Sequence, residues 1–162
     1  MLTDGVIVLR EPGEADVDAI VAAVQDPEIP RWTTIPSPYG PEHARSWLAM
    51  PGEERRLILD ADGRLLGAIG LMNVEIQPEI GYWLAPDARG RGAATRALVL
   101  MRDWAAAEHR VERLILRIHE DNRASQRVAE RAGFVDTGER LPNPRGRERD
   151  VPDHRLYAWT AA

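Results

Sequence analysis

The sequence predicts a single α/β domain in which helices cover the faces of a mixed β-sheet. Apolar runs of strand length alternate with helical segments in the order β-α-α-β-β-β-α-β-α-β-β, which is typical of this class. The 162 residues are enough for one domain that buries roughly two-thirds of its unfolded surface. No repeat, linker or low-complexity segment divides the chain, so we expect one domain over residues 1–162.

The predicted elements follow from the period of the apolar residues and from the turn residues between them. Asp62-Gly63 between two apolar runs indicates a hairpin, and the proline-broken stretch PEIPRWTTIPSPYGPEHA from Pro27 predicts a loop. We expect strands at Val6–Glu11, on both sides of Asp62-Gly63 within Arg55–Met72, and at Glu79–Leu84, Arg113–Ile118, Phe134–Arg140 and His154–Thr160. Helices are expected at Gly13–Asp26, Pro41–Met50, about Ala93–Glu108 and Asn122–Gly133.

Residue types that the chain lacks exclude several kinds of chemistry. It contains no cysteine and no lysine, so all 21 basic residues are arginine. This excludes disulfides, cysteine-ligated zinc, a Walker A lysine and a Schiff-base lysine. None of the three serines, Ser37, Ser46 and Ser125, lies in a G-x-S-x-G elbow. The four histidines, His43, His109, His119 and His154, lack the spacing of metal ligands. We therefore expect no metal site.

Charge and hydropathy indicate the partners and the location. The net charge of −5 disfavours nucleic-acid binding. No apolar run reaches the length of about 20 residues that a membrane span needs, and the N-terminus lacks a signal-peptide pattern. We expect no membrane contact and a cytoplasmic location. The arginine-rich segment Glu139–Asp150 mixes both signs of charge and predicts a solvated loop.

The stretch GYWLAPDARGRGAATRAL places glycines and arginines where a strand gives way to a helix. A helix N-terminus presents unpaired N–H groups and a partial positive charge, and glycines let an anion approach the backbone closely. Gly90 and Gly92, with Arg89 and Arg91, therefore favour phosphate binding, and a tight turn with solvated arginines is the other interpretation. A dinucleotide fingerprint fits poorly, because five residues separate the strand from Gly90.

The segment RGRGAA fits the Q/R-x-x-G-x-G/A loop of the GNAT superfamily of N-acetyltransferases. The chain resembles the RimJ/RimL-like branch of ribosomal-protein N-terminal acetyltransferases in the segments EIGYWLAPDARGRGAATRAL and NRASQRVAERAGF. The segments LREPGEADVDAI and HRLYAW resemble the two ends of the sequences of that branch. The resemblance implies a mixed, mostly antiparallel sheet of about six or seven strands with about four helices. It also implies that one central strand splays from its neighbour.

The resemblance further implies acetyl-CoA as cosubstrate and assigns residues to it. The pyrophosphate cradle would be Arg89, Gly90, Arg91, Gly92, Ala93 and Ala94, and the backbone of Trp83 and Leu84 would bond the pantetheine arm. Asn122 would hold the cofactor arm, although it also fits a helix N-cap. In the branch that the chain resembles, the serine of N-x-x-S lies near the sulfur, which implies Ser125 as the acid; the tyrosine that many GNAT enzymes use on the last helix is absent between Asn122 and Phe134.

Acetyl transfer to an amine needs a base as well as an acid. Glu79, which opens the central strand, is the first candidate for the base, and Glu75, His119 and Glu120 compete with it. The resemblance implies that the segment between the first two helices shapes the acceptor pocket, where Trp32 and Tyr39 are candidates for lining it.

The sequence thus predicts an acetyl-CoA-dependent N-acetyltransferase that acts by direct attack of a primary amine, either a protein N-terminus or a small amine. The alternatives are an acyl-CoA-binding regulatory module without turnover and, more distantly, a dinucleotide-binding domain. Because related proteins often pair, a homodimer is also expected.

Overall fold

The structure, a computed structural model, describes residues 1–142 and 153–161. Its strands are β1 (Leu2–Thr3), β2 (Ile7–Arg10), β3 (Glu54–Asp60), β4 (Leu65–Met72), β5 (Glu79–Leu84), β6 (Arg113–His119), β7 (Val135–Leu141) and β8 (His154–Thr160). Its α-helices are α1 (Val17–Val24), α2 (Glu28–Trp32), α3 (Pro41–Ala49), α4 (Ala93–His109) and α5 (Arg123–Arg131). Short 3-10 turns at Glu14–Asp16 and Pro86–Ala88 precede α1 and α4.

The eight strands form one mixed sheet in the order β1-β2-β3-β4-β5-β6-β8-β7. The β5–β6 pair is parallel, because α4 carries the chain back across the sheet between them, and the other neighbouring strands run antiparallel. This arrangement confirms the predicted mixed sheet with helices on its faces.

Each face of the sheet packs against its own helices. On one face, Leu98 and Met101 of α4 and Ala129 of α5 pack on buried residues such as Ile80 and Leu116. On the other face, α1, α2 and α3 cover a smaller cluster that includes Leu57 and Ala68. The strands alternate their side chains between these layers, so neighbouring residues of β5 face different helices. No helix in the described part of the chain is long and apolar enough to cross a membrane.

Two elements were absent from the sequence prediction. Strand β1 has two residues, paired with Leu9 and Val8, which is too short to show a period. The predicted loop after Pro27 contains α2, and its proline at position 30 is tolerated because first-turn N–H groups have no helical partner. Helix α1 is shorter than predicted, with the 3-10 turn taking its first residues. Most of the predicted loop Glu139–Asp150 lies outside the described residues, and its first residues continue β7.

Candidate active site

A cleft opens between β5 and β6, the strands at the centre of the sheet. Strand β5 keeps a six-pair antiparallel register with β4, but with β6 it shares a single registered pair, Glu79 with Ile115. There the Ile115 N–H donates to the Pro78 carbonyl at 2.9 Å. Beyond this pair the strands part, as expected for the splayed central strand.

Gly67 on β4 lets the far end of β5 come close. A Cβ at Gly67 would overlap the Trp83 carbonyl oxygen and lie 2.9 Å from the Leu84 Cα. A larger residue would therefore push the end of β5 away from β4 and towards the cleft.

The register also decides which backbone groups of β5 face the cleft. Ala85 N–H donates to the Leu66 carbonyl at 2.8 Å, and antiparallel ladders alternate bonded with non-bonded pairs. The pairing therefore turns the backbone of Trp83 towards β4, and it turns the backbone of Tyr82 and Leu84 away from β4. Of the predicted Trp83–Leu84 pair, Leu84 thus faces the cleft together with Tyr82, whereas the backbone of Trp83 faces β4; the contact with a pantetheine arm stays a prediction.

One cavity of about 1110 Å³ runs through the cleft and reaches both faces of the sheet. We call the part beneath α2, residues 33–40 and α3 the roof half, and the part beside α4 and α5 the helix half. Trp32 and Tyr39, the predicted lining residues, lie in the roof half, and Asn122 and Ser125 lie in the helix half. The cavity thus brings together candidate residues that lie far apart in the sequence.

The N-terminus of α4 faces the helix half of the cavity. Gly90 and Gly92 adopt left-handed φ angles of 74° and 81°, and a Cβ at either position would point into open space. Among the described residues, no side chain caps α4 and no acid lies in its first turn. Gly90, Gly92, Ala93 and Ala94 line the cavity, so the backbone N–H groups at this end can accept an anion.

The two arginines of this loop are placed differently. The Arg89 guanidinium pairs with the half-buried Asp26, at the end of α1, and donates to the Leu84 carbonyl at 3.1 Å. Arg91 is exposed and is absent from the described lining of the cavity. The predicted role of both side chains in holding phosphate stays a prediction.

Ser125 shares a hydrogen bond with a tyrosine that the sequence analysis missed. The Tyr82 hydroxyl and the Ser125 hydroxyl are 2.7 Å apart, and Asn122 caps α5 by accepting from the Ser125 N–H at 3.1 Å. Burial raises the pKa of Tyr82 to about 12, and the Ser125 hydrogen bond partly opposes that rise. The signal was available: period-2 alternation along β5 places Tyr82 on the face opposite Glu79, towards α5.

Glu79 lies where β5 and β6 separate, on the roof side of the sheet. Its carboxylate pairs with Arg117 of β6 at 3.0 Å. Burial raises the pKa of Glu79, and the charge and hydrogen bond of Arg117 oppose part of the rise. Its side chain is 16% exposed and lines the cavity, which suits a group that accepts a proton there.

The competing bases are less favourably placed. Glu75 is exposed in the β4–β5 connection, and Glu120 pairs with Arg155 at 3.9 Å; neither belongs to the described cavity lining. His119 lines the cavity, and its Nδ1 accepts the Asp121 N–H at 3.1 Å, which leaves Nε2 for other partners.

His119 belongs to a ring cluster at the base of the roof half. Its ring lies 5.1 Å from Trp32 and 5.8 Å from His154, edge to face in both cases. His154 is buried, and its Nδ1 has no hydrogen-bond partner among the described residues. Burial lowers the pKa of His154, and the neighbouring His119 and Arg117 lower it further, which favours the neutral ring.

Comparison with known proteins identifies relatives along most of the chain. The family described as "Acetyltransferase (GNAT) domain" matches residues 7–135. YdaF of Bacillus subtilis (strain 168), by name a candidate ribosomal N-acetyltransferase, is 34% identical over 101 residues, covering 60% of this chain and 54% of YdaF. The chain thus spans about half the length of the curated relatives it matches.

Solved structures resemble the fold over nearly its whole length. A GNAT-family acetyltransferase from Bacillus anthracis superposes with a TM-score of 0.85 at 18% identity, covering 99% of this chain and 98% of the other. Spermidine N-acetyltransferase from Vibrio cholerae, solved with CoA and spermine, gives a TM-score of 0.80 at 19% identity, covering 97% and 96%. At these identities the likeness establishes the fold.

Proposed function

The chain belongs to the GNAT acetyltransferase family, and from that premise we propose that it transfers the acetyl group of acetyl-CoA to a primary amine. The observation that carries the proposal is the cleft where β5 and β6 part, which opens onto the glycine-lined N-terminus of α4. Parallel strands normally stay paired along their length, so this opening leaves backbone groups of β5 available to a ligand.

The residues at the cleft fit acetyl-CoA. Within the part of the chain that the structure describes, the α4 N-terminus has unpaired N–H groups, two glycines without steric obstruction and no competing acid in its first turn, as a pyrophosphate requires. The cleft-facing backbone of Tyr82 and Leu84 suits the amides of a pantetheine arm, which pair as an added strand would. The Arg89 guanidinium would have to leave the Leu84 carbonyl for that pairing.

When bound, acetyl-CoA supplies an acetyl thioester, and transfer forms an N–C bond as the S–C bond breaks. Glu79 would take the proton of the incoming ammonium, because burial brings the pKa of its carboxylate closer to neutrality. Tyr82, hydrogen-bonded to Ser125, would donate a proton to the departing thiolate, and its pKa of about 12 keeps that proton in place at neutral pH. The second proton of the nitrogen, released as the amide forms, would restore the Tyr82 hydroxyl, and Glu79 would pass its proton to solvent. N–H groups of β5 in the cleft would hold the carbonyl oxygen.

The first test is thermal unfolding with acetyl-CoA, CoA and NAD in parallel. A ligand at about 100 times its Kd stabilises a fold by roughly 2.7 kcal/mol, so we expect Tm to rise by several degrees with both CoA forms and to stay unchanged with NAD. A shift with NAD alone would favour the dinucleotide alternative and would contradict the proposal.

Thiol release across a panel of amines then separates an enzyme from an acyl-CoA-binding module. Turnover with at least one amine supports the enzyme, whereas binding of acetyl-CoA without release of CoA for any amine would leave the regulatory module. The expected homodimer stays a prediction, and sedimentation of the purified chain tests it.

A further inference from the structure

We infer that the acceptor is a compact monoamine with an aromatic or apolar body, and that polyamines are poor substrates. This inference rests on the proposed function and concerns the roof half of the cavity. It comes from the charges of that half, which are already paired, and from the rings that line it.

Each carboxylate that lines the cavity within the described part of the chain already holds an arginine. Glu28 pairs with Arg31 at 3.1 Å, and the two remaining acids, Glu53 and Glu79, pair with Arg55 at 2.9 Å and with Arg117 at 3.0 Å. A polyamine carries several ammonium groups, and each needs a carboxylate or water once it enters the cavity. Here every such carboxylate is shared with a cation of the protein.

The aromatic rings of the roof half are also engaged by arginine. The guanidinium of Arg31 lies over the Trp32 ring, 4.5 Å from its centroid, and that of Arg55 lies 5.8 Å from the Trp47 ring centroid. Aromatic faces attract ammonium groups, but a second cation beside these rings meets the repulsion of the first. What the rings still offer is apolar contact area.

The remaining lining of the roof half is apolar and leaves room for a ring. Trp32, Trp47, Tyr39 and Ile35 line one side, and the strands opposite present Ala68 and Gly70. A Cβ at Gly70 would find no heavy atom closer than 3.8 Å, so side-chain space lies open above it. Burying an apolar body there removes apolar surface from water, which favours binding, whereas an extra ammonium group loses solvation without gaining a free carboxylate.

The experiment compares 2-phenylethylamine, spermidine and a serine-initiated tetrapeptide as acceptors at saturating acetyl-CoA. We expect kcat/KM for 2-phenylethylamine to exceed that for spermidine and the peptide at least about tenfold, the discrimination that pocket contacts of this kind provide. A higher kcat/KM for spermidine or for the peptide would overturn the inference while leaving the proposed function in place. Failure of acetyl-CoA to raise Tm would overturn both.

A charge variant tests the cause of that preference. Arg31→Gln leaves Glu28 without its guanidinium, so kcat/KM for spermidine should rise several-fold through a lower KM and by more than kcat/KM for 2-phenylethylamine, because spermidine carries more ammonium groups. The matched control is Arg45→Gln, which removes an Arg–Glu pair of 2.7 Å with Glu14, outside the described cavity lining, and should change neither value. Equal effects of the two variants on spermidine would refute the pairing argument.

A ring variant tests the apolar contact directly. Trp47→Ala should raise KM for 2-phenylethylamine about tenfold or more and should leave the Tm increase caused by acetyl-CoA intact, which also verifies that the variant folds. An unchanged KM in this folded variant would contradict the assignment of the roof half as the site of the apolar body.

Discussion

Replacement of Gly92 by valine separates the cost of the left-handed backbone from the loss of the phosphate cradle. Gly92 has a φ of 81° and precedes the first residue of α4, and its Cβ position faces open space. A left-handed non-glycine residue costs about 1–2 kcal/mol, which for a domain of this size lowers Tm by roughly 2–8 °C. The variant should therefore fold, with reduced stability.

Its ligand response should differ from that of the wild type. At 100 times Kd, acetyl-CoA should stabilise the wild type by roughly 2.7 kcal/mol, whereas the valine side chain would project into the space that the phosphates need. We expect the Tm increase with acetyl-CoA to disappear in Gly92→Val.

The control is Gly63→Val in the β3–β4 hairpin. Gly63 has nearly the same φ, 80°, and equally open space at its Cβ, so the intrinsic loss of Tm should match. This variant should keep the full acetyl-CoA response. A Gly92→Val protein that also keeps it would refute the argument that this backbone binds the cofactor.

Four further variants test the chemistry of the cleft. Tyr82→Phe removes the proposed proton donor, so it should lower kcat about a hundredfold without reducing the acetyl-CoA-induced rise in Tm. Ser125→Ala should lower kcat modestly. Thiol release measures both rates, and an unchanged kcat in Tyr82→Phe would exclude Tyr82 as the acid. Burial raises the pKa of Glu79, so kcat/KM should fall as the pH drops through the raised pKa of this carboxyl group. Glu79→Gln should remove this acidic limb of the pH profile. If the limb persists in the variant, another residue is the base. Asp26→Asn frees Arg89 and removes a negative charge near the cradle, so calorimetry should show acetyl-CoA binding up to about fivefold tighter. Weaker binding would contradict the idea that Asp26 and the cofactor phosphates compete for Arg89.

The sequence determined the architecture because its signals are local. Apolar periods, the Asp62-Gly63 turn and the glycines before α4 act within a few residues, and each correctly predicted an element or a boundary. The elements that were missed are too short to show an apolar period: β1 has two residues paired with β2, and α2 has five and packs Ile29 into the cluster with α1 and α3. Propensity carries little information about such short segments.

The tertiary structure decided which groups meet in the cleft. Tyr82 and Ser125 are 43 positions apart, and Arg89 and Asp26 are 63 apart, so their contacts depend on strand register and helix placement. The same register turned the backbone of Tyr82 to the cleft in place of Trp83. The sequence by itself thus determined the fold and the glycine-rich end of α4, because local backbone preferences specify both. Of the described cavity carboxylates, Glu28 and Glu53 pair with arginines two or three positions away, but Glu79 meets Arg117 only because the sheet places β5 beside β6.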